Sequence, residues 1–205
     1  YCSGGGIRWK HGEGNPLLIN VLVRDNTAHH HAGLWLKNPT LINVTVINNN
    51  SASASGNTAG SQVSLMGGRI KNSIIRGGPT PSLTQLVGDD RVEHQDVSYS
   101  NVQGGNTGEG NTSGDPGFSG NYAPTSSECV DAGDPNIWYN EEDGSRSDMG
   151  WTGGPYYYTT FNNILLMPVD EYNFGTVGGI GSLANWRLHN FSESDIVITG
   201  VDFGT

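Results

Sequence analysis

Four short segments in the first hundred residues share one pattern: LINVLVRDN from Leu18, LINVTVINN from Leu41, IKNSIIRGG from Ile70 and HQDVSYSNV from His94. Their starts lie 23, 29 and 24 residues apart, and their third positions are Asn20, Asn43, Asn72 and Asp96. Ahead of them come GIRW from Gly6, GLWL from Gly33, QVSL from Gln62 and TQLV from Thr84. Each unit reads as a strand, a variable loop, a second strand, a polar corner and a third strand. A unit of this size cannot bury its apolar face alone, whereas stacked copies bury one continuous core. The repeat predicts an all-β chain built as a parallel solenoid of about four to five coils, because parallel strands need a connection longer than a hairpin.

Stacking sets like residues above like. Asn20, Asn43 and Asn72 are then expected to form a structural ladder in which each buried amide satisfies its neighbour, with Asp96 ending it. Insertions such as TAHHHA and NNNSASASGNTAGS fall between strands, where a solenoid accepts loops on one face.

The net charge is -10, with only ten Lys and Arg, which argues against nucleic acid as a partner because phosphate neutralisation needs clustered cations. No apolar run approaches the roughly 18 residues of a membrane span, so the chain is not expected to be membrane-spanning. It opens on Tyr1 and reads as a piece of a larger polypeptide. Cys2 and Cys129 are its only cysteines, and on the solenoid reading several layers at about 4.8 Å each separate them, too far for a disulfide.

The coils are expected over residues 1–118 and a closing segment over 119–155. Residues 128–155 hold seven carboxylates against one basic residue, Arg146. Asp131, Asp134, Asn136, Asp143 and Asp148 offer the oxygen ligands that calcium prefers, with Gly144 turning the chain. A turn network without a cation is the competing reading, since the spacing is not that of an EF-hand. Trp138, Tyr139 and Trp151 flank this stretch as candidate glycan contacts or as cover for the open end of the core. Arg24 and Arg76 follow equivalent strands and would form a basic stripe for a glycan. His29, His30 and His31 are read as a surface loop, because adjacent side chains do not easily converge on one metal.

The segments GGGIRW, NPLLINVLVRDNTA, GLWLKNPTLINVTVINNNSAS and GDPGF resemble the right-handed parallel β-helix (pectin-lyase-like) repeats of large bacterial secreted and surface proteins. The segment CVDAGDPN...DGSRSDMGWTGGP looks like the closing stretch of that group. After residue 156, YNFGTV and WRLHNFSESDIVITGV look like the opening strands of an immunoglobulin-like (choice-of-anchor-like) β-sandwich, so 156–205 is expected to be a linker and incomplete strands. The resemblance implies an extracellular or cell-surface module that serves as a rigid scaffold for adhesion, glycan contact or structural display, with a polysaccharide or cell-surface ligand as partner. The alternative is a fragment of a β-helix polysaccharide lyase or glycoside hydrolase. Similarity to the polygalacturonase-like hydrolases is limited to GDD at Gly88, Asp89 and Asp90 and RIK at Arg69, Ile70 and Lys71. These occur in reversed order and without the companion motifs, and no catalytic residue is assigned.

Overall fold

The computed structural model describes residues 5–9, 14–52, 62–77 and 96–155, with the backbone of 86–88, 165–166 and 189–190. The chain divides into two compact units, Tyr1–Tyr157 and Tyr158–Thr205. In the second, the described residues are two short antiparallel strands, Leu165–Leu166 and His189–Asn190.

In the first unit every repeat contributes one strand to each of three parallel sheets. The first sheet stacks β1 (Ile7–Trp9), β5 (Leu34–Lys37), β9 (Val63–Met66) and β12 (Leu86–Gly88). The second stacks β2 (Leu17–Ile19), β6 (Thr40–Ile42), β10 (Arg69–Lys71) and β13 (Asp96–Ser98). The third stacks β3 (Leu22–Arg24), β7 (Thr45–Ile47), β11 (Ile74–Arg76) and β14 (Asn101–Val102). A two-stranded pair, β4 (Thr27–Ala28) with β8 (Asn50–Ser51), completes the set, and no sheet closes on itself. The expected all-β architecture with parallel strands is therefore present, and among the described residues the only helix is one 3-10 turn, Ile137–Tyr139.

Register explains the core. Leu18, Leu41, Ile70 and Val97 stand at one level of the second sheet, and Val23, Val46, Ile75 and Val102 at one level of the third. Leu34 and Leu36 lie beside Val63 and Leu65 in the first. Leu34, Leu36, Leu41, Val46, Val63, Leu65, Ile70, Ile75 and Val102 are all within 1% of full burial and form one cluster. Each such side chain contributes about 1.5–3 kcal/mol on leaving water. A three-residue strand with its middle residue inward is the shortest segment that serves a column of this kind.

The corners need a backbone that L-residues adopt reluctantly. The residue after nine of these strands sits at positive φ: Asn38 and Gly67 after the first sheet, Asn20, Asn43, Asn72 and Tyr99 after the second, Asp25, Asn48 and Gly77 after the third. Asn, Asp and Gly tolerate this left-handed region best, which is why the corners are written in those residues. The fourth corner of the second sheet is Tyr99, with φ 47°. Asp96 begins β13 and is registered on Arg69, so it is not the successor of Asn72.

The expected ladder takes a different form. Asn20 Oδ1, Asn43 Oδ1 and Asn72 Nδ2 are buried without a hydrogen-bond partner, so the three amides do not bond one another. A stacked amide series lies at another corner, where Asn26 Nδ2 donates to Asn49 Oδ1 (2.9 Å) and Asn49 Nδ2 donates to Gln62 Oε1 (2.8 Å). A hydroxyl series runs beside the corners, with Val44 N–H donating to Ser73 Oγ and Ser73 N–H to Ser100 Oγ, both at 3.1 Å.

The corner amides instead hold a strap formed by residues 128–154. Asp134 N–H donates to Asn72 Oδ1 (2.7 Å), and Gly150 N–H donates to the Asn72 carbonyl (2.7 Å). One repeat lower, Asn43 Nδ2 donates to the Asp148 carbonyl (2.9 Å), Ser147 Oγ (3.2 Å) and the Gly150 carbonyl (3.3 Å). Lower again, Asn20 Nδ2 donates to the carbonyls of Trp151 (2.9 Å) and Gly153 (2.7 Å). The strap thus runs back down the side of the stack, and Ile74, Cys129 and Met149 pack beneath it as a second, fully buried cluster. Gly150 lies at φ +96°, and a Cβ there would meet Thr45 Oγ1 at 2.8 Å, so only glycine fits the approach.

The segment before the strap covers the last repeat. Tyr99 N–H donates to the Glu109 carbonyl (2.7 Å), Thr112 N–H to the Ser100 carbonyl (3.0 Å) and Val102 N–H to the Thr112 carbonyl (3.0 Å). Strand edges that would stay open on this side are paired in that way. Residues 109–112 bond to the last repeat, and the acidic stretch bonds to the corners of three successive repeats.

Candidate functional site

A polar cleft of about 430 Å³ opens where β10, β13, the end-covering segment and the strap meet. Lys71 enters it from the end of β10, Ser98 and Tyr99 from β13 and its corner, Glu109 from the covering segment and Asp134 from the strap. Its position follows from register. Ile19, Ile42, Lys71 and Ser98 occupy one column, so an ammonium and a hydroxyl replace apolar residues in the last two repeats.

Lys71 Nζ lies 2.7 Å from Asp134 Oδ2, and the two side chains are only 13% and 11% exposed. The same ammonium stands 4.9 Å from the centre of the Tyr139 ring, which is itself buried. Asp134 Oδ1 accepts the Asn136 N–H at 2.9 Å, so both carboxylate oxygens are engaged. The Tyr99 phenol is pushed up to about 12, first by its hydrogen bond to the Glu109 carboxylate and then by burial. Its proton stays on the oxygen at neutral pH. Arg146, 5.8 Å from the Tyr99 ring, is held by the Gly133 and Ala132 carbonyls.

The five candidate calcium ligands are not gathered into one cage. Asp134 faces Lys71 while Asn136 Oδ1 accepts the Trp138 N–H that starts the 3-10 turn. Asp143 Oδ1 accepts from Ser145 N–H and Oγ, and Asp148 Oδ1 accepts the Asp131 N–H. Among the described residues no group of three or more His, Cys, Asp or Glu is placed to hold a metal ion. These carboxylates act as turn acceptors, and their charges crowd. Asp148 is raised, chiefly by burial and then by Asp131 and Asp143; Glu141 is raised, chiefly by burial and then by Asp148 and Asp143.

A carboxyl whose folded value lies above its unfolded one contributes stability that is complete below the unfolded value, about 4, and lost as pH rises through the folded value. Asp148→Asn keeps an acceptor for Asp131 N–H and removes the charge. The expected result is a higher melting temperature than the native chain at pH 7 and no gain at pH 4; an equal gain at both values would rule out the buried Asp148 charge as the cause.

The candidate basic stripe is not present as one surface. Arg24 is exposed and paired with Asp25 at 2.5 Å, and Ile47 stands between it and Arg76 in register. Arg76 donates through Nη1 to Asn101 Oδ1 (2.9 Å) and to the carbonyls of Ser113 (2.9 Å) and Gly114 (2.8 Å), fixing the covering segment. Tyr139 is a buried anchor, Trp151 donates its indole N–H to the Asn121 carbonyl (3.2 Å), and Trp138 is 62% exposed. In RIK, Arg69 pairs with Asp96 (3.3 Å), Ile70 is core and Lys71 lines the cleft; Asp89 and Asp90 lie outside the described residues. His31 is buried with its ring 5.0 Å from Trp35, so the histidine stretch is not simply a surface loop. Cys129 is a buried free thiol pushed up to about 12 by burial, and Cys2 lies outside the described residues.

Tyr99, Glu109 and Lys71 are the site residues that the repeat pattern did not single out. One signal was available: a charged residue in a column that is isoleucine in the two preceding repeats. Fold and cleft together define an all-β repeat protein of in-register parallel strands with a polar recess beside a side strap. Comparison with protein-family models, with curated proteins and with solved structures gives no match to this chain. Among the described residues no helix is long and apolar enough to cross a membrane.

Proposed function

We propose that residues 5–155 wind as a right-handed, pectin-lyase-like parallel β-helix. The module belongs to a large secreted or cell-surface bacterial protein and acts without turnover, as a rigid scaffold that presents loops and a recess for glycan contact or adhesion. The C-terminal unit begins an immunoglobulin-like sandwich on this reading. The observation that carries it is the register: three sheets advance by one strand per repeat with their apolar columns aligned. Such a stack is stiff along its length and tolerant of insertion at its rim. Further support comes from the arginines. A lyase needs a free cation beside a base to stabilise an enolate, and Arg24 and Arg76 are each committed elsewhere.

The test is turnover. The full chain, incubated with galacturonan and other acidic polysaccharides with and without calcium, is expected to yield neither new reducing ends nor unsaturated products. Depolymerisation would replace this reading by the alternative, a fragment of a β-helix lyase or glycoside hydrolase.

A further inference from the structure

The cleft is lined mainly by residues with hydrogen-bonding side chains. Ser98, Tyr99 and Thr107 supply hydroxyls, and Asp96, Glu109 and Asp134 supply carboxylates around the single ammonium of Lys71. That ammonium is already 2.7 Å from Asp134. Arg69 lies 3.3 Å from Asp96, but this pair is about half exposed, at 49% and 63%, and is screened by water. Lys71 balances Asp134 and Arg69 balances Asp96, so the recess offers acceptors and one carboxylate, Glu109, that has no ion pair among the described residues. Tyr99 N–H donates to the Glu109 carbonyl (2.7 Å), which holds the backbone that carries this carboxylate.

A ligand that satisfies such a lining donates through several hydroxyl or ammonium groups and brings no negative charge of its own, since a carboxylate or sulfate would meet like charge. A volume of about 430 Å³ falls within the range of small-ligand sites. Trp138, next in sequence to the Tyr139 that meets the Lys71 ammonium, offers a flat apolar face. It is exposed on a turn held by the Asn136 cap and by Tyr139 at the Lys71 ammonium, so it is presented by a fixed backbone.

We propose that the cleft formed by Lys71, Tyr99, Glu109 and Asp134 is a binding site for a non-anionic saccharide, neutral or amino-substituted. This rests on the scaffold reading only in taking the site to bind rather than to turn over. Glu109 accepts sugar hydroxyls or an ammonium, Lys71 donates to a ring or hydroxyl oxygen, and Trp138 stacks on a C–H face.

Calorimetric titration of the full chain with a glucosamine tetrasaccharide, cellotetraose, mannotetraose and tetragalacturonate tests the site. Binding is expected for the glucosamine probe or a neutral one, in preference to tetragalacturonate. Glu109→Gln is expected to weaken it by about tenfold, the cost of losing a charge-assisted hydrogen bond, while Trp9→Ala, in the first repeat, leaves it unchanged. Preference for tetragalacturonate, binding of none of the four, or affinity untouched by Glu109→Gln would overturn the proposal. Depolymerisation with binding would remove the scaffold reading alone, and no binding without depolymerisation would remove the site alone.

Discussion

Asn43→Ala is expected to destabilise the protein by about 3 kcal/mol, seen as a lower urea midpoint with an unchanged slope. Asn43 is fully buried, and its side chain donates to three groups of the strap. Truncation leaves the Asp148 and Gly150 carbonyls without that donor in a dry setting, and an unmade buried hydrogen bond costs about 1–3 kcal/mol. The backbone adds to this, since Asn43 sits at φ 51°, which alanine adopts at a cost of roughly 1 kcal/mol or more. Asn43→Gly separates the two contributions: it loses the same bonds while relieving the backbone, so it should cost less than Asn43→Ala. A loss under about 1 kcal/mol for the alanine variant would mean that the strap does not depend on this amide.

Lys71→Met carries the second large effect. It leaves the Asp134 carboxylate, 11% exposed, without its cation, and breaking a buried pair from one side costs about 3–5 kcal/mol. Much of that is the penalty of an uncompensated charge, so Asp134→Asn placed on Lys71→Met should recover most of the loss. Asparagine still accepts the Asn136 N–H through Oδ1, and methionine retains a long apolar stem beside Tyr139. If the double variant is no more stable than Lys71→Met, the lost interaction is packing rather than charge, and the ion pair is not what ties strap to sheet at this point.

The parts legible in the sequence are those whose cause is local or periodic. The columns Leu41–Ile70–Val97 and Val46–Ile75–Val102 repeat with the spacing of the segments, so inward and outward positions follow from pattern alone. Asn20, Asn43 and Asn72 were recognisable as corners because their offset is shared. Their partners were not, because the choice between a neighbouring amide and a strap carbonyl depends on a segment 62 to 133 residues away. Asp96 shows the limit of matching by offset: a displacement of three residues exchanged a strand start for a corner, and the turn itself fell on Tyr99.

The acidic stretch shows the same division. Its composition suits a hard cation as well as a turn network, and composition does not distinguish them. In the tertiary structure Asp134 has a lysine from β10 as its partner, and Asp143 and Asp148 accept backbone N–H groups. Arg76 likewise reads as a rim charge until the covering segment supplies its three acceptors.

By itself the sequence determined that this chain stacks short strands into parallel sheets around aliphatic columns, because a repeating apolar period leaves few other ways to bury it. Only the tertiary structure decided that the acidic stretch is a side strap, that the corner amides hold it, and that Lys71, Tyr99, Glu109 and Asp134 meet in one recess. Those groups come from elements far apart in the chain, and which one faces which is settled by packing and by the pairing of buried charges, neither of which is periodic.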